Sequence, residues 1–536
     1  MQTYRSDVLV VGGGIAGITT ALGLLDSGKS VVLLDRDEEA VFGGLARESF
    51  GGMFFVDTPE QRRMGVRDST ELALRDWFSF GEFGADDHWP KAWAQAYVNR
   101  CTQDVYHWVR QHGIGFFPVV NWVERGEFRP GNSVPRFHLV WGTGKRLAEQ
   151  LIAALQSHAN ANKLTLRFGH RVEQLLLQDG RIGGAHGVEE KSGIPFEALA
   201  EHVVVATGGI NGSMEMVRNH WHADWHQPPE TILNGSHRFA DGTLHQAVQV
   251  AGGNLTHLDK MWNYAAGVHH PRPRKPNHGL SLVPSRSALW LNWRGERMGP
   301  QPLVSGFDTR RLVTDICAQE KAYSWQVMNH RIALKELAIS GAEFNPSVRD
   351  RKVFSFLRDV LLGNRWLVND MLANCKDFVV AQSLPELVEK MNALQGDDAV
   401  QLDAVNDAVS SYDATIARGE KFMNDEQLRR IAALRQYRGD KVRLCKFAPI
   451  NDAAALPLIA IREFITSRKS LGGIQTDLHS RVLSTDNQPI PGLFAVGEAA
   501  GFGGGGLHGL RALEGTFLGG CILSGRIAAQ AIAKAV

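Results

Sequence analysis

The chain is poor in cysteine, with five in 536 residues, at 101, 317, 375, 445 and 521, and no CxxC pair. That excludes a readable zinc ribbon or thioredoxin-type site, and an odd, sparse set of thiols fits a reducing compartment. Net charge is almost absent, 57 acidic against 58 basic residues, so composition gives no reason to expect nucleic acid or an anionic membrane as partner. No apolar run in the sequence reads as the ~20 residues of a membrane span. The first apolar stretch, VLVVGGGIAG at 8–17, follows Asp7, is broken by glycines and lacks a clean cleavage site, unlike a secretory signal. Internal repeats and low-complexity linkers are also missing. What remains is a cytoplasmic, enzyme-sized protein, ordinary in its hydrophobic (44%) and charged (21%) content and too long for one core.

Glycine is plentiful and placed. Residues 7–35 read as a βαβ unit: DVLVV a buried strand, GGGIAG a turn, ITTALGLLDSG a helix, KSVVLLD a second strand. Gly28 falls where a left-handed helix C-cap is favoured. Gly12, Gly14 and Gly17 form GxGxxG at the strand–helix junction. The first permits the tight turn, the second lets a pyrophosphate approach the backbone, and the third lets helix and strand pack closely, with the helix N-terminus facing the anion. Asp35 ends the next strand, where it can accept from a ribose. Helical spacing covers 69–113 and 143–162, followed by a strand and hairpin. HVVVATGGI (202–210) and PGLFAVGEAAG are further buried strands ending in glycine. Between about 250 and 445 the composition shifts to Trp, His, Pro and Arg and then to long charged helices, which suggests an inserted second domain (251–444) between two parts of a first (1–250 and 445–536). FAD is favoured over NAD because a long cofactor needs elements from distant parts of the chain; Thr207, Gly208, Gly497 and Glu498 supply them, Glu498 as an acceptor for ribityl hydroxyls.

Six segments carry a family resemblance: VLVVGGGIAG (8–17), GGLARESFGG (43–52), VVVATGGI (203–210), DG at 241–242, LGGIQTD (471–477) and PIPGLFAVGEAAGFGGGG (489–506). In this order they resemble the FAD-dependent family of soluble fumarate reductases, the succinate dehydrogenase flavoprotein and 3-ketosteroid dehydrogenases. FGGMFFVDTPEQRRMGVRDS and ALEGTFLGGCILSGR resemble its bacterial ketosteroid dehydrogenase-like subgroup. The resemblance implies an α/β fold, a Rossmann-like FAD domain carrying an inserted α+β capping domain. It implies cofactor contacts at Gly12, Gly14, Ala16, Gly17, Asp35, Gly44, Leu45, Gly51, Gly52, Val172, Thr207, Gly208, Asp241, Gly497, Glu498, Gly515, Thr516 and Phe517. It also makes 501–520 an ordered wall beside the isoalloxazine. Family members with covalent FAD use a His in the stretch matching GGLARESFGG; none stands here, so the FAD is expected to be noncovalent.

Two family chemistries compete, both moving a hydride between flavin and carbon. A fumarate reductase's late loop reads His-Gly-x-x-x-Arg. His508 and Gly509 match, Arg511 comes one residue early, and Lys469 replaces a His before LGG. Thr309–Arg310 resembles the site of the acid Arg. A ketosteroid dehydrogenase polarises its carbonyl with a Tyr and a Gly amide; aligned on Gly515–Thr516, Leu510 and Glu514 stand there instead. Aromatic residues Trp262, Tyr264, Trp290, Trp293, Tyr323 and Trp325 either line an apolar pocket or form core. The candidate catalytic residues are His508, Arg511, Arg310, Tyr264 and Lys469. The expectation is oxidation of a CH–CH bond beside a carbonyl; the alternatives are a reductase of unsaturated carboxylates and a noncatalytic electron carrier. HWHADWH and HHPRPRKPNH read as neither metal site nor nucleic-acid patch. The substrate is a small molecule, and the electron acceptor and oligomeric state are open.

Overall fold

A computed structural model describes residues 2–534. Its first sheet has five parallel strands in the spatial order Leu164–Arg167, Val31–Leu34, Gln2–Val11, Pro195–Val205, Pro489–Ala495. Val8–Val11 and Val31–Leu34 are buried throughout, as continuous apolar strands in a sheet covered on both faces must be. Their side chains alternate between two cores: Val8 and Val10 enter one, Leu9 and Val11 the other. The helices Ile15–Asp26, Thr143–Gln156 and Thr516–Lys534 cover the first face. The strands His170–Gln178 and Arg181–Glu189, with the helix Thr243–Val250, cover the second. Gly28 takes the left-handed conformation at the end of its helix (φ 76°). The helix expected over 143–162 stops at Gln156.

The second sheet is mainly antiparallel and centred on the long strand Leu458–Ser470. It pairs with Met261–His269, Tyr323–Asn329 and Phe378–Ala381. It also pairs in parallel with Ile232–Asn234. The sheet therefore reaches beyond the 251–444 expected from composition, because its central strand and one edge come from either side of that segment. Trp290 and Trp325 are buried in the core of this half with the helices Leu384–Gln395, Leu402–Ala417 and Glu426–Leu434.

Thr516–Lys534 is the one helix among the described residues long and apolar enough to cross a membrane, which the sequence reading did not anticipate. In the fold 67% of its most apolar window is buried. It packs closely on Ile15–Asp26: a Cβ on Gly525 would lie 2.7 Å from the Ala16 carbonyl oxygen.

Candidate functional site

The parallel strands all end at one edge of the first sheet, and a cavity of about 240 Å³ opens there, the usual ligand position in open α/β sheets. Its floor is the turn Gly12–Gly14 and the first residues of Ile15–Asp26. The three glycines differ in what forces them. Gly12 has φ 110°, and a Cβ there would lie 2.3 Å from the Ala206 carbonyl oxygen. A Cβ on Gly17 would lie 2.0 Å from the Gly12 oxygen, so this glycine serves packing and does not line the cavity. Gly14 is the reverse: nothing lies within 4 Å, and any side chain would project into the cavity mouth of the helix. A backbone cradle open at a helix N-terminus suits a pyrophosphate.

The rest of the lining comes from distant parts of the chain. It includes Asp35, Val172, Thr207, Gly208 and Asp241. Asp35 accepts from the backbone N–H of Gly13 and of Asp37, both at 2.7 Å. Burial raises its carboxyl above the usual range, and each oxygen keeps a second lone pair for a ribose hydroxyl. Arg36 donates to Asp241 at 2.7 Å and to Glu190. Ala16, Gly44, Leu45, Gly51, Gly52 and Glu498 also line it; Glu498 accepts from the Ser470 N–H at 2.9 Å and is raised by burial. Gly515 and Phe517 complete this set. Gly497 and Thr516 stand behind the lining. Gly497 (φ 64°) turns against Ala16, and the Thr516 hydroxyl pairs with His508.

The glycine stretch is ordered, with positive φ at every residue from Gly501 to Gly506. Its glycines do not face the cavity, however. Side chains on Gly503 and Gly505 would strike Trp93 and Thr256. From 501–520 the lining is Phe502, Glu514, Gly515, Phe517 and Leu518.

The five catalytic candidates separate into two groups. Tyr264 and Lys469 line the cavity. They come from neighbouring antiparallel strands, and register shifts on both sides of Tyr264 bring them together. Lys469 Nζ donates to the Tyr264 hydroxyl at 2.8 Å. Tyr264 donates onward to Glu514 Oε1 at 2.5 Å, which also accepts from Trp262 Nε1 at 2.7 Å. Lys469 Nζ lies 4.0 Å from Glu514 and 4.0 Å from the centre of the Phe517 ring. Burial pushes the Lys469 ammonium down to about 8 and the Tyr264 hydroxyl well above its ordinary value, Glu514 adding to the latter. His508, Arg310 and Arg511 do not line the cavity. His508 is fully buried, stacked on Trp77 with ring centres 5.2 Å apart, and burial lowers it to about 3. Arg310 donates to Asp224 at 2.7 Å and lies over Trp225. Arg511 pairs with Asp308 at 2.8 Å and with Glu82.

Glu514 is the site residue that sequence reasoning passed over. It was noted only as a departure from a family glycine; the signal was a carboxylate inside an otherwise apolar stretch, ALEGTF. Arg468, also in the lining, was missed because its neighbour drew the comparison. A second cleft of about 650 Å³, lined among others by Arg47, Arg274, Lys275 and Arg349, shares Asp37, Gly44, His237, Ser340 and Arg468 with the cavity.

Comparison with known proteins agrees with this geometry. Residues 7–518 match the FAD binding domain family. A KsdD-like steroid dehydrogenase of Mycobacterium tuberculosis (strain CDC 1551 / Oshkosh) is 42% identical, the match covering 99% of this chain and 96% of that protein. The solved 3-ketosteroid delta1-dehydrogenase of Sterolibacterium denitrificans superposes with a TM-score of 0.70 at 17% identity, over 99% of this chain and 100% of that one. A flavocytochrome c3 fumarate reductase gives the same TM-score at 21% identity, over 99% of this chain and 78% of that one. At such identities the structural likeness speaks for the fold, a mixed α/β flavoenzyme architecture. With a family match over nearly its whole length and a cavity whose glycine cradle fits the cofactor, the chain belongs to the FAD-binding family and is an FAD-dependent oxidoreductase.

Proposed function

We propose that the protein is a dehydrogenase acting on a CH–CH bond beside the carbonyl of a largely apolar, steroid-like substrate. The observation that carries this reading is the Lys469–Tyr264–Glu514 chain on the wall of the cofactor cavity. Bound FAD, held without a covalent link by the glycine cradle, Asp35, Glu498 and Gly515, supplies the two-electron acceptor at its N5. The chain's own residues handle the proton. Tyr264 is too basic to ionise at rest, so it accepts a proton only as it gives one. The proton on the carbon beside the carbonyl passes to the Tyr264 oxygen while the tyrosine's own proton passes to Glu514 Oε1. The Lys469 ammonium, donating to the same oxygen, stabilises the charge that develops there. The electron pair freed at that carbon forms the new C=C bond as the C–H bond of the neighbouring carbon breaks, its pair leaving as a hydride for which bound FAD would be the acceptor, so atoms and charge balance.

Reduction of an unsaturated carboxylate by Arg310, Arg511 and Lys469 is less well supported, because both arginines are held by carboxylates outside the cavity lining. In the preferred reading the second sheet and the helices of 251–444 form the capping unit over a cofactor unit built from 1–250 and 445–536. Strands Ile232–Asn234 and Leu458–Ser470 tie the two together. Five free cysteines fit action in the cytoplasm, with an external acceptor reoxidising the flavin. Anaerobic mixing of the yellow holoenzyme with a saturated 3-ketosteroid tests the reading. Bleaching of the flavin band is expected. Failure to bleach, together with reoxidation of the reduced protein by an unsaturated acid, would replace it with the carboxylate reductase.

A further inference from the structure

Most large apolar side chains exposed on this molecule are scattered, as on any soluble surface. Between residues 353 and 366 they are not. Val353, Phe354, Leu357, Leu361, Leu362 and Trp366 are all exposed, Phe354 at 89% and both Leu361 and Leu362 at 70%. The first five lie on the helix Val353–Leu362, which has no fully buried residue, and Trp366 opens the next helix, Arg365–Asn374. The helix is fixed from behind: Phe356 packs on Phe117 and Trp141, ring centres 5.3 and 5.8 Å apart. Its outward apolar face is therefore held in place, and nothing among the described residues covers it.

The charges around that face are mostly positive. Arg351, Lys352, Arg358 and Arg365 are exposed beside it. The nearby acids, Asp350 and Asp359, are already engaged, Asp350 by Arg349 and Lys352 and Asp359 by Arg358. Arg351 and Arg365 have no carboxylate within ion-pair distance among the described residues. A chain of net charge +1 thus concentrates unpaired positive charge around one apolar face. A second copy on the same face is disfavoured, since a two-fold interface sets each patch against itself and would oppose these cations. An apolar stripe with an interfacial Trp and a basic rim matches an amphipathic helix lying in the plane of a membrane surface.

We propose that this face docks the protein peripherally on an anionic lipid bilayer. The docking is independent of the substrate proposed above. It does place the bilayer close to the second cleft, since Phe344 and Arg349, just before the helix, line that cleft. A lipid-dissolved substrate would reach the cavity from there.

The test is co-sedimentation of the full-length holoenzyme with phosphatidylcholine vesicles, with and without phosphatidylglycerol. Binding is expected only with the anionic lipid, and weaker at high salt. Phe354→Ser combined with Leu361→Ser should lower partitioning at least about a hundredfold. Arg351→Glu combined with Arg358→Glu should lower it at least about tenfold. Unchanged flavin content and melting temperature would confirm that both variants fold, as expected for exposed positions. No binding to anionic vesicles at low salt would overturn the proposal, as would equal binding by the variants. A wild-type dimer that F354S/L361S converts to monomer would assign the face to a second copy instead.

Discussion

The Lys469 ammonium is buried 4.0 Å from Glu514, with Arg468 and Glu498 also acting on it. Burial lowers its pKa from 10.5 to about 8 while Glu514 pulls it back up. The cation that stabilises the Tyr264 oxygen is thus present below pH 8 and is lost as pH rises through that value. The rate of flavin reduction by substrate should fall along an alkaline limb near pH 8. In Glu514→Gln the larger part of the upward pull is gone and only Glu498 remains, so the limb should move down by about one unit, and the rate should fall because Tyr264 no longer has a proton acceptor. A stopped-flow pH series on both proteins checks this; an unmoved limb would mean that Lys469 does not set it. At this scale the sequence was only partly legible. Tyr264 and Lys469 could be singled out by residue type and by a family position, but their 2.8 Å contact depends on a strand register 205 residues apart in sequence. His508 and Arg310 matched family positions and Arg511 fell one residue early, yet spacing says nothing of which way a side chain points. All three turn to partners away from the cavity.

Local pattern was more informative for elements. The βαβ unit read over 7–35 forms as Gln2–Val11, Ile15–Asp26 and Val31–Leu34, legible because continuous apolar strands, a glycine turn and a glycine C-cap all agree there. The same turn yields a contrast between two glycines. Gly14→Val places its side chain in the empty cradle, so flavin should be lost, with the A450/A280 ratio falling at least tenfold, an estimate based on blocking the anion site. The melting temperature of the apoprotein should hardly change. Gly17→Val drives a side chain into the Gly12 carbonyl and should destabilise the fold itself by about 1–3 kcal/mol, visible as a lower urea midpoint even without flavin. Equal melting temperatures for the two apoproteins would contradict the division of roles. Other elements were less legible. The second sheet joins strands from 232–234 to 458–470, and no periodicity marks which distant strands pair. The glycine loop was recognised as ordered, but its packing on Trp93 and Thr256 follows from tertiary contact alone.

At the scale of the whole molecule, two sheets meet at the cofactor cavity, and a buried ion cluster braces one wall. The Arg136 side chain has no exposure; it donates to Asp68 at 2.7 and 2.9 Å and to Asp76 at 2.6 Å, and the next residue, Phe137, lines the cavity. Arg136→Met would leave two buried carboxylates without their cation and should cost about 3–5 kcal/mol, measured by urea unfolding, with weaker flavin retention. A loss below about 1 kcal/mol, the value of an exposed pair, would show that the cluster is not structural. The cofactor cavity was legible from the motifs, because turns from 12–16, 43–52, 206–208, 241–242 and 498–502 all supply its lining. The second sheet's contribution to the site was not, since it rests on Tyr264 meeting Glu514 from the loop before the last helix. That meeting is the central claim. The direct measurement is the anaerobic single-turnover rate of flavin reduction in Tyr264→Phe, with FAD content matched to wild type. The account predicts a fall of about 10²–10⁴-fold, the usual contribution of a positioned acid or base, with the flavin spectrum otherwise intact. A rate equal to that of wild type would contradict it.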